Sequence, residues 1–192
     1  MRPARELVET KRQTYFVTSQ TIQRNPFFRH ERWAVLFQEI LQHYRGKSYL
    51  LHAYVIMPDH FHILISPQES LERAVQNIKG GFSFRAKKAF EWKHDIWQPG
   101  FSDHRIRDGE DLERHLAYIE SNPVKAKLCN KSGQYSYVST RLDPIPQGLK
   151  PHFPESLDGG AEAPPLQCNF VCSGPRYSRI IFLHRAGGGA FR

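Results

Sequence analysis

The sequence predicts an α/β chain of the α+β kind, with strands and helices alternating over residues 1–142. Three observations carry this. Residues 48–66 hold two strand-like apolar runs on either side of Pro58-Asp59, a hairpin pattern. Residues 31–44 and 108–122 space their apolar residues as amphipathic helices do. Gly and Pro concentrate beyond residue 143, where periodicity fades: 14 of the 26 lie in residues 143–192.

In chain order, Tyr15-Phe16-Val17-Thr18 reads as a short strand. Glu31 to Tyr44 follows as a helix, with Trp33, Leu36, Phe37, Ile40 and Leu41 on one side and Gly46 ending it. Ser48 to Met57 and His60 to Ser66 form the hairpin. Ser70 caps a helix to about Ile78, and Gly80-Gly81 is expected to interrupt it before a basic helical stretch, Phe82 to Lys93. Asp95 to Gln98 and Ser102 to Arg107 read as extended. Asp108, with Asp111 as an acidic first turn, starts a further helix. Leu112, Leu116 and Ile119 form its apolar stripe, and Pro123 is expected to end or kink it at Asn122. Short strands are expected near Tyr137 to Thr140 and at Ile180 to Leu183. The region from 143 to 192 reads as a loosely ordered tail.

With 192 residues, 40% hydrophobic and 24% charged, the chain has the composition of a soluble globular protein. No apolar run approaches the ~20 residues that cross a bilayer, so no membrane partner is expected. Met1 to Glu6 lacks the apolar core of a secretory signal. Cys129, Cys168 and Cys172 are odd in number and point to a reducing cytosol rather than a disulfide framework. Cys168 and Cys172 lack the second pair that a zinc site would need. The net charge of +8 favours a polyanionic partner, although spare surface lysines also fit it.

The chemistry concentrates in Met57-Pro58-Asp59-His60-Phe61-His62-Ile63-Leu64. Residues two apart on a strand face the same way, so His60 and His62 share one face and Phe61 takes the other. Two neutral imidazoles side by side suit a metal, or equally two hydrogen-bonded histidines decorating a sheet. A third ligand must come from elsewhere. Tyr118 and Asn122, four apart on a helix, share a face. Periodicity by itself favours a core-edge aromatic and a helix-terminal residue there.

Taken together, these motifs resemble the single-tyrosine transposases with a histidine–hydrophobe–histidine (HUH) motif, specifically the REP-associated tyrosine transposases. Tyr118-Ile119-Glu120-Ser121-Asn122-Pro123-Val124-Lys125-Ala126 is similar to their tyrosine motif. Gln23-Arg24, Ile78-Lys79-Gly80, Ile96 to Phe101, Asp103-His104, Arg107 and Tyr135-Ser136-Tyr137 match in order over about residues 11–140. The resemblance implies a ferredoxin-like fold, a central antiparallel sheet with helices packed on its faces. It implies that His60, His62 and Asn122 bind Mg²⁺ or Mn²⁺ and that Tyr118 is the nucleophile. It also implies a monomer acting on single-stranded hairpin DNA of the repetitive extragenic palindrome type, in a cytoplasmic, nucleoid-associated setting.

The residue types make chemical sense of that reading. Tyrosine attack on a phosphodiester conserves its energy in a 5′-phosphotyrosine bond, so no nucleotide cofactor is needed, and no phosphate-cradling Gly-rich loop is present. Arg85, Lys87, Lys88, Arg105, Arg107 and Lys125 are candidates for DNA contact, although a solvated surface charge is the simpler reading of any one of them. Phe82, Phe84 and Phe90 could stack on unpaired bases, though core packing explains them more simply. The alternative function is a non-catalytic nucleic-acid-binding module on the same fold, which would not need His60, His62 and Tyr118 together. A metal hydrolase using the histidine pair would leave Tyr118 without a role.

Overall fold

The computed structural model describes residues 13–145 and Leu149. The expected strand at Ile180 to Leu183, the Cys168–Cys172 pair and nearly all of the expected tail lie outside the described residues.

Five strands form one antiparallel sheet: β1 (Tyr15–Gln20), β2 (Tyr49–Met57), β3 (His60–Pro67), β4 (Ser102–Arg105) and β5 (Val138–Ser139). Their spatial order is β4-β1-β3-β2-β5. Three helices cover it: α1 (Glu31–Tyr44), α2 (Leu71–Phe90) and α3 (Gly109–Lys125). The expected antiparallel sheet with helices on its faces is what the chain forms.

The sheet is apolar on both faces, which is why β2 and β3 read as nearly continuous apolar runs. One face carries Val17, Leu51, Ile56, Phe61, Ile63 and Ile65 against α1 and α2. The other carries Ala53, Val55, Met57 and Leu64 against Leu112, Leu116 and Ile119 of α3. A bulge between Leu51 and Ala53 shifts the alternation of β2, so that Tyr54 faces the α1–α2 side as Leu51 does. The extra residue, His52, is buried, with Nε2 2.8 Å from Ser66 Oγ and Nδ1 3.2 Å from the Asp143 carbonyl. Burial pushes its pKa down.

Local signals set the helix starts. Ser70 Oγ accepts from the Arg73 N–H at 3.1 Å, and Asp108 Oδ1 accepts from the Asp111 N–H at 2.8 Å. Gly46, at φ +75°, follows α1 in the left-handed region, where a Cβ is disfavoured.

Two expectations fail for physical reasons. Gly80-Gly81 does not break α2, which runs unbroken from Leu71 to Phe90. A Cβ on Gly81 would lie 2.8 Å from the Tyr44 ring, so the glycine lets α2 approach α1, and packing overrides a helix-propensity cost of about 1 kcal/mol. Pro123 does not end α3, which continues to Lys125. Proline removes one amide donor there, and the helix stops only two residues later, where Ala126 N–H returns to the Asn122 carbonyl. The segment expected to be extended at Asp95 to Gln98 contributes only a Thr21–Trp97 bridge.

Phe82 is fully buried in the α1–α2 core and Phe90 packs against Trp33, whereas Phe84 is 71% exposed. After β5 the chain is held back to the sheet. Arg45 grips Asp143 with Nε and Nη2 at 2.9 and 2.7 Å, and Asp143 Oδ2 accepts the Leu51 N–H at 2.7 Å.

Candidate active site

The Pro58-Asp59 turn delivers β3 with His60 and His62 on the α3 side and Phe61 on the other, against Phe37 and Trp97. The two imidazoles lie 4.9 Å apart between ring centroids. Asp59 Oδ1 is 2.6 Å from His60 Nδ1, the kind of carboxylate contact that orients a ligand histidine. His62 is paired across the sheet with Thr18 of β1, whose Oγ1 is 2.7 Å from Nδ1. Phe16, two residues earlier on β1, stacks on the His62 ring at 5.3 Å.

His62 is 5% exposed and its Nε2 is buried without a hydrogen-bond partner. A buried ring nitrogen rarely stays unsatisfied. Burial first, and His60 beside it second, push its pKa down to about 3, so the ring is neutral at physiological pH. A neutral imidazole with an unpaired ring nitrogen, next to a second imidazole held by a carboxylate, supplies two nitrogen donors of the kind that divalent metals take.

Tyr118 of α3 stands over this pair. Its ring is 5.2 Å from that of His62 and meets Phe16 edge-on at 5.8 Å. It is 40% exposed, so part of the side chain is open to solvent. The stripe Leu112, Leu116 and Ile119 fixes the rotation of α3 on the sheet and hence the direction of Tyr118. Asn122, one turn on, is buried and flanks that stripe. Lys125 holds its Nζ 5.5 Å from the Tyr118 ring centroid.

The basic residues singled out in the sequence divide into two groups. Arg107 is exposed just before α3 and Lys125 closes α3, both bordering the histidine–tyrosine face, whereas Arg105, exposed at the end of β4, pairs with Tyr15 and so faces the α1–α2 side. Arg85, Lys87 and Lys88 lie on α2, which packs on the opposite face of the sheet, and Arg85 faces Glu39 at 3.6 Å. The structure does not bring these three together with His60 and His62.

Sequence reading missed the roles of Thr18 and Phe16, because both reach His62 only through strand pairing 44 or more positions away. Asp59 reads from the sequence only as a turn residue. A second group, His104, Asp111 and His115, has ligand atoms within 4.8 Å of one another and could hold a metal ion. His104 was noted for resemblance alone, and nothing local joins it to residues 111 and 115.

A paired-histidine strand facing a helix-borne tyrosine defines a class, and the chain belongs to it: the Transposase IS200 like family, whose pattern matches residues 9–122. Within it, the chain is 27% identical over 141 residues to the REP-associated tyrosine transposase of Escherichia coli, covering 72% of this chain and 82% of that one. It is 31% identical over 119 residues to a putative REP-associated tyrosine transposase of Haemophilus influenzae, covering 56% and 66%. The solved structure of a REP-associated tyrosine transposase bound to a REP hairpin matches with a TM-score of 0.58 and 26% identity, over 72% of this chain and 82% of that one. The resemblance read from the motifs is therefore borne out at the level of family and fold. No helix among the described residues is long and apolar enough to cross a membrane.

Proposed function

We propose that this protein cleaves and rejoins single-stranded, hairpin-associated DNA through a tyrosine-linked intermediate. The observation that carries this reading is the Tyr118 ring set 5.2 Å from a His62 whose Nε2 is buried and unsatisfied. A binding module has no need of that arrangement. A hydrolase needs the imidazoles but not the half-exposed tyrosine beside them.

In this reading His60, His62 and Asn122 hold Mg²⁺ or Mn²⁺. The chemistry such an ion supplies when bound is Lewis acidity at the scissile phosphate. Asp59 and Thr18 orient the two rings. The Tyr118 oxygen forms a bond to phosphorus as the bond from phosphorus to the 3′ oxygen breaks. The phenol loses its proton, the departing oxygen gains one, and a 5′-phosphotyrosine and a free 3′-OH result. A 3′-OH from another strand reverses the step without further energy input. Arg107 and Lys125, on the same side of the sheet as Tyr118, steady the strand through phosphate contacts.

The hairpin substrate rests on the relatives, one of which was solved with a REP hairpin. His62 and Tyr118 of one chain already meet, which supports a monomer carrying a whole site. A DNA substrate of this kind fits a nucleoid-associated setting. Incubation of the protein with labelled hairpin single-stranded DNA and Mg²⁺ or Mn²⁺ tests the reading. A denaturant-resistant adduct is expected with the native chain. Binding without an adduct would favour the binding module, and cleavage without one a hydrolase.

A further inference from the structure

We infer that His104, Asp111 and His115 form a second metal site, selective for a borderline transition ion such as Zn²⁺ and separate from the His60–His62 pair. The three residues converge from two elements. His104 comes from edge strand β4, where it pairs with Phe16 of β1. Asp111 and His115 lie one turn apart in the first half of α3. His104 Nε2 is 2.8 Å from Asp111 Oδ2, and His115 Nδ1 is 3.3 Å from Asp111 Oδ1. Donor atoms bound at ~2.1 Å around one ion stand about 3 Å from each other, so these separations are edges of a coordination polyhedron. The two imidazoles stack at 4.8 Å with 17° between their planes, and the ligand atoms of the three residues all lie within 4.8 Å of one another, so rotation of the side chains brings them around one ion.

The donor chemistry chooses the ion. Two imidazoles and one carboxylate are a donor set that suits Zn²⁺ and its first-row neighbours. Asp111 is 4% exposed. Burial alone would raise its pKa, but hydrogen bonds from His104 and the Arg107 N–H outweigh that, so the carboxylate is held ionised. Arg114, at 3.4 Å from Oδ1, is mostly in solvent. Without metal, His104 Nε2–H donates to Asp111 and His115 Nδ1–H donates to the Asp111 carbonyl at 2.7 Å. Binding an ion at those two nitrogens moves each proton to the other nitrogen of the same ring, so no charge is stranded. His104 and His115 both keep a solvent-facing side, which leaves an entry path and room for water to complete the sphere.

The position gives the site a structural consequence. Phe16 touches the His115 ring at 4.7 Å and those of His62 and Tyr118 at 5.3 and 5.8 Å. An ion that clasps β4 to α3 therefore fixes the helix carrying Tyr118 one aromatic ring away from it. The inference does not depend on the proposed DNA chemistry.

Zinc binding to the full-length His60→Ala/His62→Ala protein, by equilibrium dialysis with metal analysis, is the test, because it removes the first pair of ligands. Retention of about one equivalent of Zn²⁺, with a rise in melting temperature, is expected. Adding His104→Gln and His115→Gln should abolish both while the circular dichroism spectrum stays native. His104→Gln alone, at a half-exposed edge position, is the gentler variant and should weaken zinc binding at least tenfold. Loss of all zinc in His60→Ala/His62→Ala, or binding untouched by His104→Gln, would overturn the inference and leave the trio as a hydrogen-bonded clasp. Failure of the adduct assay would not affect this outcome.

Discussion

Thr18 and His62 face each other across β1 and β3, with Oγ1 2.7 Å from Nδ1. The hydroxyl is the only hydrogen-bond partner among the described residues that the His62 side chain has, since Nε2 has none. With Nδ1–H donated to Thr18, the lone pair sits on Nε2. Thr18→Val keeps the strand shape and removes that bond. Divalent metal affinity at the His60–His62 pair is expected to fall ~10–100-fold, as for other partners that orient ligand histidines. Calorimetric titration with Mn²⁺ measures it, and unchanged affinity would dismiss Thr18 as an orienting group.

The two basic groups should behave differently toward DNA. Neutralising Arg107 or Lys125 is expected to lower the slope of log affinity against log salt by about one each. Arg105 on β4 and Arg85, Lys87 and Lys88 on α2, all on the other side of the sheet, should change it less. Fluorescence anisotropy with a labelled hairpin over a salt series separates the two groups, and equal slopes for both would contradict the separation.

Gly80 and Gly81 make a matched pair. A Cβ at Gly80 meets nothing within 4 Å, while one at Gly81 meets the Tyr44 ring at 2.8 Å. Gly80→Ala should stabilise the protein by about 0.5–1 kcal/mol. Gly81→Ala gains the same propensity but must displace the ring, so it should be neutral or destabilising. Denaturant melts read the difference, and equal stabilisation by both would refute the close approach of α1 and α2.

His52 and His62 set the acid limb of stability. Both pKa values are pushed down, mainly by burial, that of His62 to about 3. An unfolded histidine titrates near 6.5, so below that pH the unfolded chain binds protons that the folded chain refuses. Stability is thus complete above about pH 6.5 and falls as pH drops, by up to roughly 1.4 kcal/mol per pH unit for each histidine. For His62 the loss continues down to its folded pKa of about 3. Denaturant melts at pH 7.5 and 5, in chelator, should show the decline, and His52→Gln should flatten part of it. A flat profile would mean that the imidazoles are not buried neutral.

Legibility in the sequence followed the range of the interactions. The alternation His60-Phe61-His62 carries its strand geometry within three residues, and the Asp108 and Ser70 caps act within one turn. Tyr118 and Asn122 share a helix face by spacing alone. Gly80-Gly81 and Pro123 were misread because their effects depend on Tyr44 and on how close α3 already is to its end. Thr18, Phe16 and the His104–Asp111–His115 trio join through β1 pairing with β3 and β4, which no local pattern specifies. The tyrosine motif suggested Asn122 as a ligand, and the structure adds only that it is buried beside the apolar stripe of α3.

The central claim is that Tyr118 becomes covalently attached to DNA beside His62. Its most direct measurement is peptide mapping of the adduct formed with a labelled hairpin, by mass spectrometry after nuclease and protease digestion. A nucleotide-phosphate mass on the peptide containing Tyr118, absent in Tyr118→Phe and in His62→Ala, is the predicted result. An adduct on any other residue, or one that persists in Tyr118→Phe, would contradict the account.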